Sequence, residues 1–210
     1  MNQQVTVFGA NGKVGSLVVE ELLLRNYSVV AFVHNAHNFS AHEHLRIVQG
    51  DIYNANDVDA AVAGSAIVIS TLGSWGTPKK DILTVGMGHI VASMSRHGSA
   101  RLISLTGAEA RAAGDSLSII HRLMHAGLSV AAGKVLADGE KHIAILEKSG
   151  LDWTVVRSPI MTSKQPRGDR YTLSSNRPLP WRFTARRLVV LSIVDLITDM
   201  HWQQKAPYIS

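Results

Sequence analysis

The sequence predicts an α/β fold: a doubly wound, mainly parallel sheet with helices on both faces, in one domain over residues 1–210. Three observations predict it. Apolar strand-like runs alternate with helix-like stretches as far as Arg157, the pattern of βαβ units. A glycine-rich turn, Val5-Thr-Val-Phe-Gly-Ala-Asn-Gly-Lys-Val-Gly15, joins the first run to the first helix. The composition, 46% hydrophobic with 17 glycines and 6% aromatics, suits strands covered by helices on both faces.

The elements follow in order. Residues 5–9, 28–33, 45–49, 67–71, 101–105 and 153–157 read as strands. Residues 13–25, 56–63, 81–97 and a long stretch ending at Lys148 read as helices. In the first helix Leu17, Val18, Glu21, Leu22 and Arg25 hold helical spacing, with an apolar inner stripe. Right-handed crossovers then place the ligand crevice at the carboxyl ends of the strands, where their order reverses. After Pro159 the pattern changes. Residues 160–186 are rich in Arg, Pro and Ser, with 171–174 as a short strand, and 160–210 is expected to form the substrate side. Residues 188–191 read as a strand. Ser192 and Asp195 read as a capping pair opening a last helix.

Composition excludes several classes. There is no cysteine, hence no disulfide framework and no thiolate metal site, which fits a cytoplasmic protein. The chain enters a strand at once, without the basic and apolar regions of a leader. No apolar run is long enough to span a membrane. The net charge is +5, with Arg167, Arg170, Arg177, Arg182, Arg186 and Arg187 concentrated late. No basic-aromatic module accompanies them, so the excess reads as a solvated face rather than a nucleic-acid surface. His34, His37, His42 and His44 fall in one loop without metal-ligand spacing, and no metal is expected.

The turn carries the first chemistry. Gly9 lets the chain turn, Gly12 lets backbone approach a pyrophosphate, and Gly15 lets the helix pack close to the strand. Asn11, Lys13 and Val14 complete a loop that opens onto a helix N-terminus, where free N–H groups favour phosphate.

This G-x-x-G-x-x-G spacing resembles the atypical short-chain dehydrogenase/reductases, in particular the small NmrA-like and biliverdin/flavin-reductase-like NAD(P)H-binding proteins of Rossmann type. The resemblance implies roles for later strand ends. Asp51 would accept from the adenine amine and Ile52 would cover the ring; the other reading of Asp51 is a turn residue that caps the next helix. Thr71, Leu72 and Gly73 would run beneath the ribose and phosphates. Pro159, Ile160 and Met161 would border the nicotinamide. Cofactor choice rests on the end of the second strand, where no acid is present to accept from a ribose 2′-hydroxyl. His34 stands where relatives carry Arg, and Lys13 adds positive charge. This points to NADP(H), with NAD(H) rejected less strictly than an Arg would reject it.

The catalytic elements are thin. Relatives use Ser or Thr with a Tyr-x-x-x-Lys pair, in which Tyr supplies a proton. Ser104 and Thr106 are the candidate hydroxyls, Thr106 nearer the strand end. Counting back from Ser149-Gly-Leu-Asp-Trp153 puts Val135 in the Tyr place and Gly139 in the Lys place. Gly139 inside a helix needs a local reason, and close approach of a cofactor is one. Trp75 and Trp181 read as partly buried packing residues that would otherwise wall an aromatic substrate.

Two functions are expected from this set. One is an NADPH-dependent reductase of a small-molecule acceptor, flavin or quinone-like, that needs little protonation help. The other is a non-catalytic NADP(H)-sensing regulator with a protein partner.

Overall fold

The computed structural model describes residues 3–35, 37–99, 101–116, 118–179 and 181–210. It carries the predicted fold class. Six strands, β1 (Gln4–Phe8), β2 (Ser28–Val33), β3 (Leu45–Gln49), β4 (Ile67–Ser70), β5 (Arg101–Gly107) and β6 (Asp152–Ser158), lie parallel in the order β3-β2-β1-β4-β5-β6. Beyond β6 the sheet gains β10 (Tyr208–Ile209), parallel to β6, and β8 (Leu173–Ser174), antiparallel to β10. A separate pair joins β7 (Ile160–Thr162) to β9 (Phe183–Ala185). The chain order reverses between β1 and β4, which opens the crevice there.

Alternation along the strands builds two cores. Val5 and Val7 face helices α1 (Gly15–Leu24) and α5 (Arg186–Asp195), packing with Val18, Leu22, Val189 and Ile193. Phe8 and Phe32, rings 4.9 Å apart, belong to the opposite core. It lies under α2 (Ala55–Val62), α3 (Ile82–His97) and α4 (Ile119–Glu147). Thr6 points into that face, fully buried, and its hydroxyl is satisfied by Ala61 O at 2.8 Å and Ser65 Oγ at 2.6 Å.

Three sequence expectations are corrected. Residues 188–191 are not a strand; they lie inside α5. A four-residue apolar run does not separate strand from buried helix, and Val189, Val190, Ile193 and Val194 all bury against α1 and the sheet. Ser192 and Asp195 therefore do not open a helix. Ser192 Oγ donates back to Val189 O, and Asp195 accepts from Arg25 and Tyr171. The stretch ending at Lys148 is helical as expected, α4 with its C-cap at Lys148, but it is broken at Ala132, which has non-helical φ −141° and ψ 34°. His125 Nε2 meets Glu140 Oε1 at 2.8 Å across that break, although 15 residues of straight helix would part them by about 22 Å. The two arms of α4 thus fold toward each other around Ala132, beside Gly133. Trp75 and Trp181 are not packing residues: they are 69% and 63% exposed.

Candidate functional site

The glycine turn sits at the reversal point. Gly9 has φ +73°, a conformation glycine adopts at no steric cost. A Cβ on Gly15 would collide with Gly9 O and stand 2.7 Å from Thr71 Oγ1. Gly15 is therefore glycine so that α1 can lie against the β1 and β4 ends. Gly12 is exposed, and its N–H closes the turn on Gly9 O at 2.9 Å. Asn11 and Lys13 are exposed beside it, while Val14 is buried. No side chain caps α1 at Val14, so the helix start meets the crevice with its backbone.

The neighbouring strand ends are more committed than the sequence suggests. Thr71 N–H donates to Phe8 O, and its hydroxyl lies 3.0 Å from Phe8 O and 3.2 Å from Gly9 O. The side chain thus ties β4 to the glycine turn and leaves backbone to face a ligand. Leu72 and the buried Ile52 both press on α3 where Gly86 passes: a Cβ there would lie 2.9 and 2.8 Å from them. Gly73 has nothing within 4 Å of an added Cβ and opens onto free space. Asp51 Oδ1 accepts from Tyr53 N–H at 3.0 Å in a side-chain turn, while Asn54 caps α2. His34 is exposed, with Nδ1 3.4 Å from Gly50 O. A cavity of about 250 Å³ between Asn11, Ser16, Glu20, Asn38 and Phe39 lies beside the turn.

On the other wall the structure separates the two candidate hydroxyls. Ser104 is buried, and its Oγ meets His142 Nε2 at 2.8 Å. Burial holds the His142 imidazole down to about 4, so it is neutral at physiological pH. Thr106, two residues nearer the strand end, faces Gly139. A Cβ on Gly139 would stand 2.9 Å from Thr106 Oγ1 and 3.1 Å from Ala110 Cβ. Close packing of β5 on α4 is thus the local reason for that glycine. Pro159 and the exposed Ile160 follow β6 at the crevice rim.

Sequence reasoning passed over Asp138. Its carboxylate, buried on α4, accepts from Ser74 Oγ, from the Leu83 and Thr84 N–H groups at 3.0 and 2.8 Å, and from Thr84 Oγ1 at 2.6 Å. One side chain therefore caps α3 and anchors the loop after β4 to α4. Lys80 Nζ ties the same loop from within, through Ser74 O and Thr77 O. The loop after β5 is also held from below. Arg157 pairs with Asp115 and Arg177 donates to Ala108 O at 2.7 Å. Only spatial neighbours reveal these roles; an acid between Ala137 and Gly139 carries no local signal.

A dinucleotide fits what is present. Exposed Gly12 and open Gly73 leave backbone accessible on both sides of the β1–β4 reversal, and the uncapped start of α1 favours anions. Among the described residues no group of three or more His, Asp or Glu could hold a metal, and no helix is long and apolar enough to cross a membrane.

Solved structures of the same fold are numerous. A short-chain dehydrogenase/reductase from Veillonella parvula, solved in complex with NADP, superposes with TM-score 0.80 at 18% identity, covering 100% of this chain and 95% of its own. ChuY, an anaerobillin reductase from Escherichia coli O157:H7, gives TM-score 0.78 at 21% identity, over 99% and 96% of the two chains. The oxidoreductase ylbE from Lactococcus lactis gives 0.80 at 14%, over 99% and 90%. At such identities these likenesses establish the fold. A family model described as NAD(P)H-binding matches residues 9–200, from the first turn glycine almost to the last strand, and the chain belongs to that NAD(P)H-binding family.

Proposed function

We propose that the chain acts as one folded unit over residues 1–210, an NADPH-dependent reductase of a small conjugated acceptor, flavin or quinone-like. The bound dinucleotide supplies a hydride. Its pyrophosphate would lie over Gly9, Asn11, Gly12, Lys13, Val14 and Gly15, with the backbone of Thr71, Leu72 and Gly73 beneath. Asp51 keeps Oδ2 for the adenine amine, and Ile52 offers an apolar edge. His34 and Lys13 would meet a 2′-phosphate, which favours NADP(H) over NAD(H). Pro159 and Ile160 would border the reacting ring. The lack of cysteine suits a reducing cytoplasm.

One observation carries the choice of acceptor: Thr106 faces Gly139 across a contact with no room for a side chain. The hydroxyl can orient an acceptor, but among the described residues no lysine or tyrosine is bonded to it to move a proton, and His142 is buried and neutral. An isolated ketone would forgo the about 10²–10⁴-fold that a positioned acid contributes. A conjugated ring spreads the added charge and takes its proton from water.

Steady-state NADPH oxidation tests this. Flavin should be reduced and simple ketones should not. Thr106→Ala should slow flavin turnover by well under the roughly 10²-fold lower bound of general acid catalysis. Faster ketone reduction, or collapse of flavin turnover in Thr106→Ala, would overturn the reading. A second reading, an NADP(H)-sensing regulator, is favoured by the first arm of α4, which exposes Ile119, Leu123 and Val130 to solvent. Tight NADPH binding without turnover on any acceptor would select it.

A further inference from the structure

The fold-back of α4 creates a second polar concavity, away from the glycine turn. Arg111, Arg122, His125, Ala126 and Ser129 line a cavity of about 440 Å³, within the size range of small-ligand sites. It adjoins the proposed acceptor wall. Arg111 directly follows Ala110, whose Cβ lies with Thr106 Oγ1 beside Gly139.

The sequence that forms it is short of acids. No Asp or Glu occurs from Ser116 to Ala137, a stretch that includes Arg122 and Lys134. The carboxylate bonded to the lining residues, Glu140, accepts from Arg111 Nε and His125 Nε2, both at 2.8 Å. Burial works to raise the Glu140 pKa, and the bonds from Arg111 and His125, all on Oε1, outweigh it, so the group is held below its ordinary value as an anion. Arg111 keeps its terminal amines. Among the described residues no carboxylate lies within ion-pair distance of the Arg122 guanidinium. Ser129 donates to Ala126 O at 2.7 Å and can only accept, so the guanidiniums set the chemistry. Two planar forks beside one cavity match a phosphate or carboxylate.

We propose that this cavity binds the anionic arm of the acceptor, the terminal phosphate where the acceptor is a flavin. The proposal rests on the reductase reading and deepens it. Riboflavin and flavin mononucleotide differ by that phosphate alone, so the test compares them on the NADP⁺-loaded protein, where no turnover occurs, by quenching of flavin fluorescence. Flavin mononucleotide should bind at least about tenfold more tightly, as expected for one charge-assisted hydrogen bond. Arg122→Gln, at an exposed position without an ion-pair partner, should erase the difference while leaving riboflavin and NADP⁺ affinities unchanged. Added inorganic phosphate should weaken flavin mononucleotide and spare riboflavin. Equal affinity of the two flavins, binding of neither, or a difference that survives Arg122→Gln overturns the proposal. Discrimination in binding without any NADPH oxidation would sustain the anion site and end the reductase reading. Flavin reduction without discrimination would do the reverse.

Discussion

The two walls of the crevice solve opposite problems. On the β1–β4 wall the chain withholds side chains: Gly12 is exposed, Gly73 faces open space, and no side chain caps α1. On the β5–α4 wall side chains close the space. Ser104 is spent on His142, Thr106 abuts Gly139, and Asp138 binds the α3 start and Ser74. The first wall leaves backbone open, whereas the second is closely packed. Under the proposed function, the half that binds the dinucleotide keeps open backbone while the half that could have moved protons is closely packed.

The widest expected effect breaks the first wall alone. A Cβ on Gly12 would meet only Gly9 O, at 3.1 Å, whereas on Gly15 it would strike Gly9 O and Thr71 Oγ1. Gly12→Val should therefore fold and lose dinucleotide affinity by about 100-fold, the worth of about two hydrogen bonds to a charged phosphate. Gly15→Val should fail to fold stably. Calorimetric titration and thermal melting read both. Unchanged affinity in folded Gly12→Val would remove the pyrophosphate from this turn.

The contrast also explains what was legible beforehand. The ranges read for residues 28–33 and 45–49 coincide with β2 and β3 because alternation and flanking turns are local. The glycine turn was legible for the same reason, since its three glycines act on backbone within one loop. The β5–α4 wall was not. Its residues act across 38 positions for Ser104 with His142 and 64 for Ser74 with Asp138, and no periodicity encodes such pairs. Gly139 lies inside α4, and its contact with Thr106 and Ala110 joins segments that no local pattern connects. The α5 error has the same root: Leu188–Leu191 is apolar on every residue, and only packing on α1 selects the helical period.

A second prediction probes how far the β5–α4 wall has become core. His142 is fully buried, with its pKa lowered from 6.5 to about 4 by burial. The unfolded chain takes up this proton as pH drops below about 6.5, while the folded chain resists until about 4. The contribution to stability is complete above the unfolded value and is lost as pH falls through that window, by about 3 kcal/mol in all. Asp115 and Glu140 also lose stability on acidification, since both carboxylates are held below their ordinary values in the fold. The informative quantity is therefore the difference between wild type and His142→Gln, which keeps a partner for Ser104. Urea unfolding at pH 7.5 and 4.5 should show a steeper loss in wild type. Parallel losses would mean that His142 titrates as if solvated.

The smallest effect is the sharpest test of the packing itself. In an exposed helix Gly→Ala gains about 1 kcal/mol. At Gly139 the added Cβ would lie 2.9 Å from Thr106 Oγ1, closer than real Cβ contacts, and 3.1 Å from Ala110 Cβ. Neither neighbour is the far end of a flexible chain, so strand and helix must part slightly. Overpacking of this kind costs about 1–3 kcal/mol and should cancel or reverse the helical gain. Gly139→Ala is thus expected to be neutral to destabilising by about 1–2 kcal/mol in urea unfolding. Thr106→Ala removes the hydroxyl in the way, so the double variant should be more stable than the two single changes predict by addition. Additive effects would mean that Thr106 and Gly139 are not in contact, and the wall would then have room for a side chain between strand and helix. A proton-relaying side chain could then stand beside Thr106, against the proposed choice of acceptor.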